Sequence, residues 1–179
     1  MNRLYIIRHG KTEWNEKKLL QGKTDIELNE DGIKQAEELR DSFDFDKIDV
    51  CICSPLKRTK KTAEIVIGNK LPIIYDSLLL ERGFGKYEGK PIVFDLIADQ
   101  WDYKLNDSTN DIEPIRSCLD RAKKFLDKIN KKYSNKKILI VSHGSFIKAL
   151  HFNLVGYDED TDFLSFNPQN AVVYEYELE

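Results

Sequence analysis

The chain is poor in the residues that mark special environments. It has three cysteines, three histidines, one methionine and five prolines in 179 residues. An odd cysteine count, with nothing that looks like a secretory leader, argues against a disulfide scaffold. It leads to an expectation of reduced thiols and a cytoplasmic location. The first apolar run, Leu4 to Ile7, is too short for a leader and is followed at once by Arg8 and His9. No apolar stretch reaches the roughly 18 residues a membrane helix needs. A basic excess is also missing. The net charge is -3, so binding to nucleic acid or to an anionic membrane is not expected. Any anion site must be a local pocket. Cys51 and Cys53 read as small strand residues rather than half a metal site, because no second cysteine pair or nearby histidine completes a ligand set.

What is present alternates. Strand-like and helix-like segments follow one another through a length that suits one domain, residues 1–179. That order predicts an α/β protein with a largely parallel sheet. Strands are expected at Leu4–Ile7, Asp49–Cys53, Pro72–Tyr75 and Ile138–Val141, with a half-solvated strand in "AVVYEYEL" near the C-terminus. Helical spacing follows Asn29, a candidate N-cap. It recurs after Ser54 and Pro55, with Ser54 as cap, Pro55 in the first helical position and Gly68 at the stop. Ile115, Leu119, Ala122, Leu126, Ile129 and Tyr133 predict the strongest helix. Helices are also expected at about Ile92–Tyr103 and from Ser145 to Leu154.

Two of the three histidines, His9 and His143, are each followed by glycine and each end an apolar strand. In open α/β sheets the carboxyl edge of the strands is where ligands bind. Neutral imidazole can take up a phosphoryl group as a covalent intermediate. Its oxygens then need fixed positive charge in a planar, bidentate form, which arginine supplies. Arg8 is one candidate. Arg58 is the second, in the first turn of a helix whose N-terminus would add N–H donors. The leaving oxygen needs a proton, and Glu81, at the mouth of the apolar run "LLLERGFG", is the carboxylic acid placed to give it. His151, eight positions after His143, reads as structural. Trp101 and Tyr103 read equally as pocket lining or as helix packing.

The segments "RHGKTEWN", "LQGKTDIELNEDGIKQA", "SPLKRTKKTA", "LLLERGFGKYEG" and "VSHGSFIKAL" occur in an order that resembles the histidine phosphatase superfamily. That superfamily includes cofactor-dependent phosphoglycerate mutases and alpha-ribazole phosphatase-like enzymes. The resemblance covers nearly the whole chain. It implies a three-layer α/β/α sandwich with a mostly parallel six-stranded sheet. It implies His9 as the phosphorylated nucleophile, Arg8, Arg58 and His143 as the phosphate pocket, and Glu81 as the proton donor. Asn15 matches a further phosphate-bonding position. Thr12, Gln21, Gly22, Arg82 and the backbone at Ser145 are expected near the substrate. Three departures stand out: Thr59 where alanine is commoner, Lys11 where many relatives carry an acid, and "IEPIRS" where many carry Gly-Glu-Ser.

The expected activity is metal-independent, cofactor-free hydrolysis of a small phosphate monoester through a phosphohistidine. A mutase and a non-enzymatic phosphate sensor are the alternatives. The sensor is disfavoured because every catalytic position is filled. The short span between Glu81 and His143, and an end directly after the last strand, leave little chain for a lid. Water is therefore expected to reach the phosphohistidine.

Overall fold

The computed structural model describes residues 1–179. In chain order its elements are β1 (Asn2–Arg8), the single turn α1 (Glu13–Glu16), α2 (Glu30–Ser42), β2 (Val50–Cys53), α3 (Lys57–Ile67), β3 (Ile73–Tyr75), α4 (Phe94–Gln100), α5 (Ile115–Lys132), β4 (Lys137–Ser142), α6 (Gly144–Val155) and β5 (Val173–Leu178). The strands form one sheet in the order β3-β2-β4-β1-β5. Only β5 runs antiparallel, against β1.

The period of two along each strand divides the core into two layers. Leu4, Ile6, Ile138 and Ile140 face α5 and α6, packing on Leu119, Ala122, Phe125 and Phe146. Tyr5, Ile7, Leu139 and Val141 face α2 and α3, packing on Ala36, Ala63, Val66 and Ile67. The central strands are covered on both faces, which is why they read as unbroken apolar runs. No helix is long and apolar enough to cross a membrane.

The sheet has five strands, not the six that the resemblance implied. Its β3 edge is half exposed, and no further extended apolar run lies free to pair with it. The helix expected over Ile92–Tyr103 shrinks to α4, with Ile92 and Val93 outside it before its start and a turn from Trp101 after its end. Asn29 caps α2 through its side chain, which accepts from the Gly32 amide. Ser54 does not cap α3, and Pro55 lies before the helix. The N-cap is Leu56, and the Asp25 carboxylate accepts from the Lys57 amide at 2.8 Å. The cap therefore arrives from a distant loop.

Pairing of β1 with β4 places the two histidines. Arg8 is in register with Ser142, and the His9 amide continues the ladder to the Ser142 carbonyl at 3.1 Å. The glycines after them make room for protein groups. A Cβ on Gly10 would collide with the carbonyl of Gly32, and one on Gly144 would meet the Arg8 guanidinium carbon at 3.2 Å. Gly10→Ala should therefore cost about 1–3 kcal/mol, because backbone cannot move aside as a side chain can. Denaturant unfolding measures this. An unchanged midpoint would mean that the loop relaxes freely.

Candidate active site

The carboxyl ends of β1 and β4 open into a cavity of about 330 Å³. Arg8, His9, Asn15, Gln21, Gly22, Arg58, Glu81 and Ser145 line it, so eight of the residues read from the sequence come together there. His143 and Arg82 do not reach its wall.

His9 is buried. Its Nδ1 lies 2.6 Å from the Gly10 carbonyl. A carbonyl only accepts, so Nδ1 carries the proton and Nε2 keeps its lone pair. Burial, and then the charges of Arg58 and Arg8, hold His9 well below the usual histidine value. The same causes, burial first and then Arg58, depress His143. The His143 ring sits 5.3 Å from the His9 ring. Its bonds are the reverse of those of His9: Nδ1 accepts from Arg58 Nε at 3.2 Å, and Nε2 lies 2.7 Å from the Ser54 hydroxyl. His143 therefore stands behind the site and orients Arg58.

Arg58 is fully buried. Its other nitrogens donate to the carbonyls of Gly22 at 2.7 Å and Thr24 at 2.8 Å. Burial lowers its pKa to about 10, which leaves it charged at neutral pH. The carbonyl loop is held in turn by Glu88, whose carboxylate accepts from the amides of Lys23, Thr24 and Phe84. Gly22 adopts φ +54, and a Cβ there would strike that carboxylate. Arg8 donates Nη1 to the Pro168 carbonyl at 2.9 Å, while its buried Nε has no partner. Burial lowers its pKa, and Glu81 opposes the shift. Arg8 itself lines the cavity, where its guanidinium is placed to meet an anion.

Two amides point the same way. The Thr12 amide donates to Asn15 Oδ1 at 3.0 Å, and the Thr12 hydroxyl donates to Gln21 Oε1 at 2.9 Å. With both oxygens occupied, the NH₂ groups of Asn15 and Gln21 remain for a ligand. The Glu81 carboxylate sits at the N-terminus of α6. Its Oε1 accepts from the amides of Arg82 and Phe146, at 2.8 and 2.9 Å. Oε2 accepts only from the Ser145 amide, at 3.1 Å. That amide, expected to meet substrate, holds the carboxylate instead.

Arg82 is buried outside the cavity, with Nε on the Glu113 carbonyl at 2.8 Å. The segment "IEPIRS" buttresses the Glu81 loop. Glu113 pairs with Arg121 at 2.8 Å, and Arg121 donates to the carbonyls of Leu78 and Leu80, both at 2.7 Å. Thr59 bonds the carbonyls of Ser54 and Leu56 and so tightens the turn into α3. His151 bonds the Tyr176 hydroxyl at 2.8 Å and stacks on Phe166, away from the site. Trp101 lines the cavity. Tyr103 packs against Tyr157 and Phe163. Sequence reasoning passed over Lys148 and Glu88. Lys148 could have been found as a lysine inside the apolar run of α6, whereas Glu88 carries no local signal.

Residues 4–179 match the histidine phosphatase superfamily (branch 1), and the chain belongs to it. It is 37% identical to the uncharacterized phosphatase PhoE of Bacillus subtilis, over 89% of this chain and 81% of the relative. It is 30% identical to phosphoserine phosphatase 1 of Hydrogenobacter thermophilus, over 96% of this chain and 84% of the relative. A phosphoserine phosphatase from Entamoeba histolytica, solved with 3-phosphoglyceric acid, superposes with a TM-score of 0.80. It is 31% identical, over 98% of this chain and 90% of that one.

The two histidines should titrate below the ordinary histidine value, since burial beside arginines penalises their charged forms. Ring-carbon NMR during a pH titration tests this. A His9 midpoint at or above the ordinary 6.5 would contradict it. The sign for stability follows. The unfolded imidazoles bind protons below about 6.5 and the folded ones do not, so stability is lost as pH falls through that range.

Proposed function

We propose that this chain hydrolyses small phosphate monoesters through a phosphohistidine on His9. Membership of the superfamily, with phosphatases among its relatives, makes it a phosphoric monoester hydrolase. The observation that carries the assignment of the nucleophile is the bond from His9 Nδ1 to the Gly10 carbonyl, which turns an unprotonated Nε2 towards the cavity.

In the first step Nε2 attacks phosphorus in line and the ester P–O bond breaks. Glu81 gives its proton, from the less occupied Oε2, to the departing oxygen. Arg8, Arg58 and the amides of Asn15 and Gln21 hold the equatorial oxygens as charge spreads over them. In the second step Glu81 takes a proton from water, the water oxygen bonds to phosphorus, and the electron pair returns to Nε2. The guanidinium groups supply fixed charge that a metal would otherwise bring. Three buried free thiols suit a reducing compartment and support a cytoplasmic site of action.

His9→Ala should abolish turnover in a folded protein. Wild type quenched after brief exposure to labelled ester should carry acid-labile, alkali-stable phosphate. Full activity in folded His9→Ala would overturn the assignment. Activity should also survive exhaustive chelation, and loss restored by a divalent ion would count against fixed charge.

Glu81→Gln should slow alkyl phosphates far more than aryl phosphates, whose leaving oxygens need less protonation. Equal losses on both would point to binding or structure instead.

A further inference from the structure

One cation at this cavity has no part in the mechanism above. Lys148 lies in α6 between Ile147 and Ala149, both fully buried, and is itself only 6% exposed. Lysine is almost never buried unless paired. Here the ammonium forms no hydrogen bond and no ion pair, and it lies over the Trp101 ring, 4.3 Å from the ring centroid. Its lysine nevertheless lines the same cavity as Arg8, His9 and Glu81. Helix geometry explains the reach. Side chains tilt towards the N-terminus, and Lys148 follows Gly144 and Ser145 by one turn, so its stem leads back to the site. Glu81 attracts it from beyond ion-pair distance, and both oxygens of that carboxylate are engaged by backbone amides. Burial lowers the Lys148 pKa to about 8, so it still carries its charge at neutral pH. Arg82 stands on the same indole, 4.8 Å from the ring centroid, and its charge repels that of Lys148.

We propose that Lys148 binds a carboxylate on the organic part of the substrate, so that the enzyme selects small phosphate monoesters that are also carboxylic acids. The proposal rests on the hydrolase reading above. The surroundings favour one negative charge over a second phosphate. A phosphate dianion calls for several convergent donors, as at Arg8 and Arg58. Lys148 is a single point charge walled by Trp101, Ile97 and Leu164. Ammonium on a flexible stem suits a monodentate carboxylate. The apolar wall strengthens the pairing by excluding water.

The test compares matched esters that differ only in the carboxylate: O-phosphoserine with O-phosphoethanolamine, and 3-phosphoglycerate with glycerol 3-phosphate. Wild type should prefer the carboxylated member of each pair. In Lys148→Met the ratio of kcat/KM within a pair should fall roughly 10- to 100-fold, as for one lost charge-assisted hydrogen bond. The loss should fall mainly on KM, and Lys148→Arg should restore part of it. A wild type without preference, or a preference that survives Lys148→Met, would overturn the proposal. So would equal losses on both members. Calorimetry keeps the two readings separate. If no ester is hydrolysed, the hydrolase reading fails, but His9→Ala with and without Lys148→Met still reports binding. Tighter binding of O-phosphoserine that depends on Lys148 would support the carboxylate site. Equal affinities for O-phosphoserine and O-phosphoethanolamine would reject it.

Discussion

Positive charge held inside the protein is the constraint around which this sheet edge is built. A guanidinium in the interior is costly unless its donors are matched. The chain meets that cost with backbone carbonyls rather than carboxylates. Gly22 and Thr24 hold Arg58, and Pro168 holds Arg8. Carbonyls fix direction without cancelling charge. A carboxylate partner would have neutralised each arginine and left little attraction for a phosphate. Apart from Glu81, the acidic groups stand one step back. Glu88 fixes the carbonyl loop, and Glu113 with Arg121 fixes the loop that carries Glu81. The site thus keeps an electrostatic deficit that an anion completes.

The two histidines show how similar sequence contexts acquire different chemistry. Both end parallel neighbouring strands, and both precede glycine. Yet His9 donates from Nδ1 and His143 accepts there. Only His9 is left with an unengaged nitrogen facing the cavity. The difference comes from neighbours: the Gly10 carbonyl beside one ring, Arg58 and Ser54 beside the other. Proximity of the rings is not a sign of shared duty. One ring is the candidate nucleophile, and the other holds an arginine in position.

Much of this was legible because it depends on local pattern. The apolar runs of β1, β2 and β4, the Asn29 cap and the long amphipathic stretch of α5 are encoded within a few residues of themselves. What escaped was supplied from far along the chain. Ser54 looked like the cap of α3, but Asp25 performs that duty, and the Ser54 hydroxyl faces His143 instead. Arg82, beside Glu81 in sequence, turns away from the cavity because the Glu113 carbonyl draws it into the α5 side of the core. The missing sixth strand belongs with these, since strand pairing at an edge needs a partner that local composition cannot announce.

The division of charge within the cavity also sets an order of events. On the proposed mechanism the substrate phosphate lies with the arginines and the two free amides before reaction. After the proposed transfer to His9 the phosphoryl oxygens would remain there, still held, while the alcohol product would keep only its organic contacts. On the carboxylate reading, those contacts reduce to Lys148 and an apolar wall. One ammonium near its titration range is a weaker anchor than two fixed guanidinium groups. On that reading the product alcohol would leave first, past the side of the cavity lined by Trp101 and by Ile92 and Phe94, whose side chains are about half or more exposed. Its departure vacates the position beside Glu81 Oε2 that water needs. A pocket that held the organic part as firmly as the phosphate would keep water out and favour return of the phosphoryl group. The asymmetry between paired guanidiniums and one lysine thus favours hydrolysis over transfer.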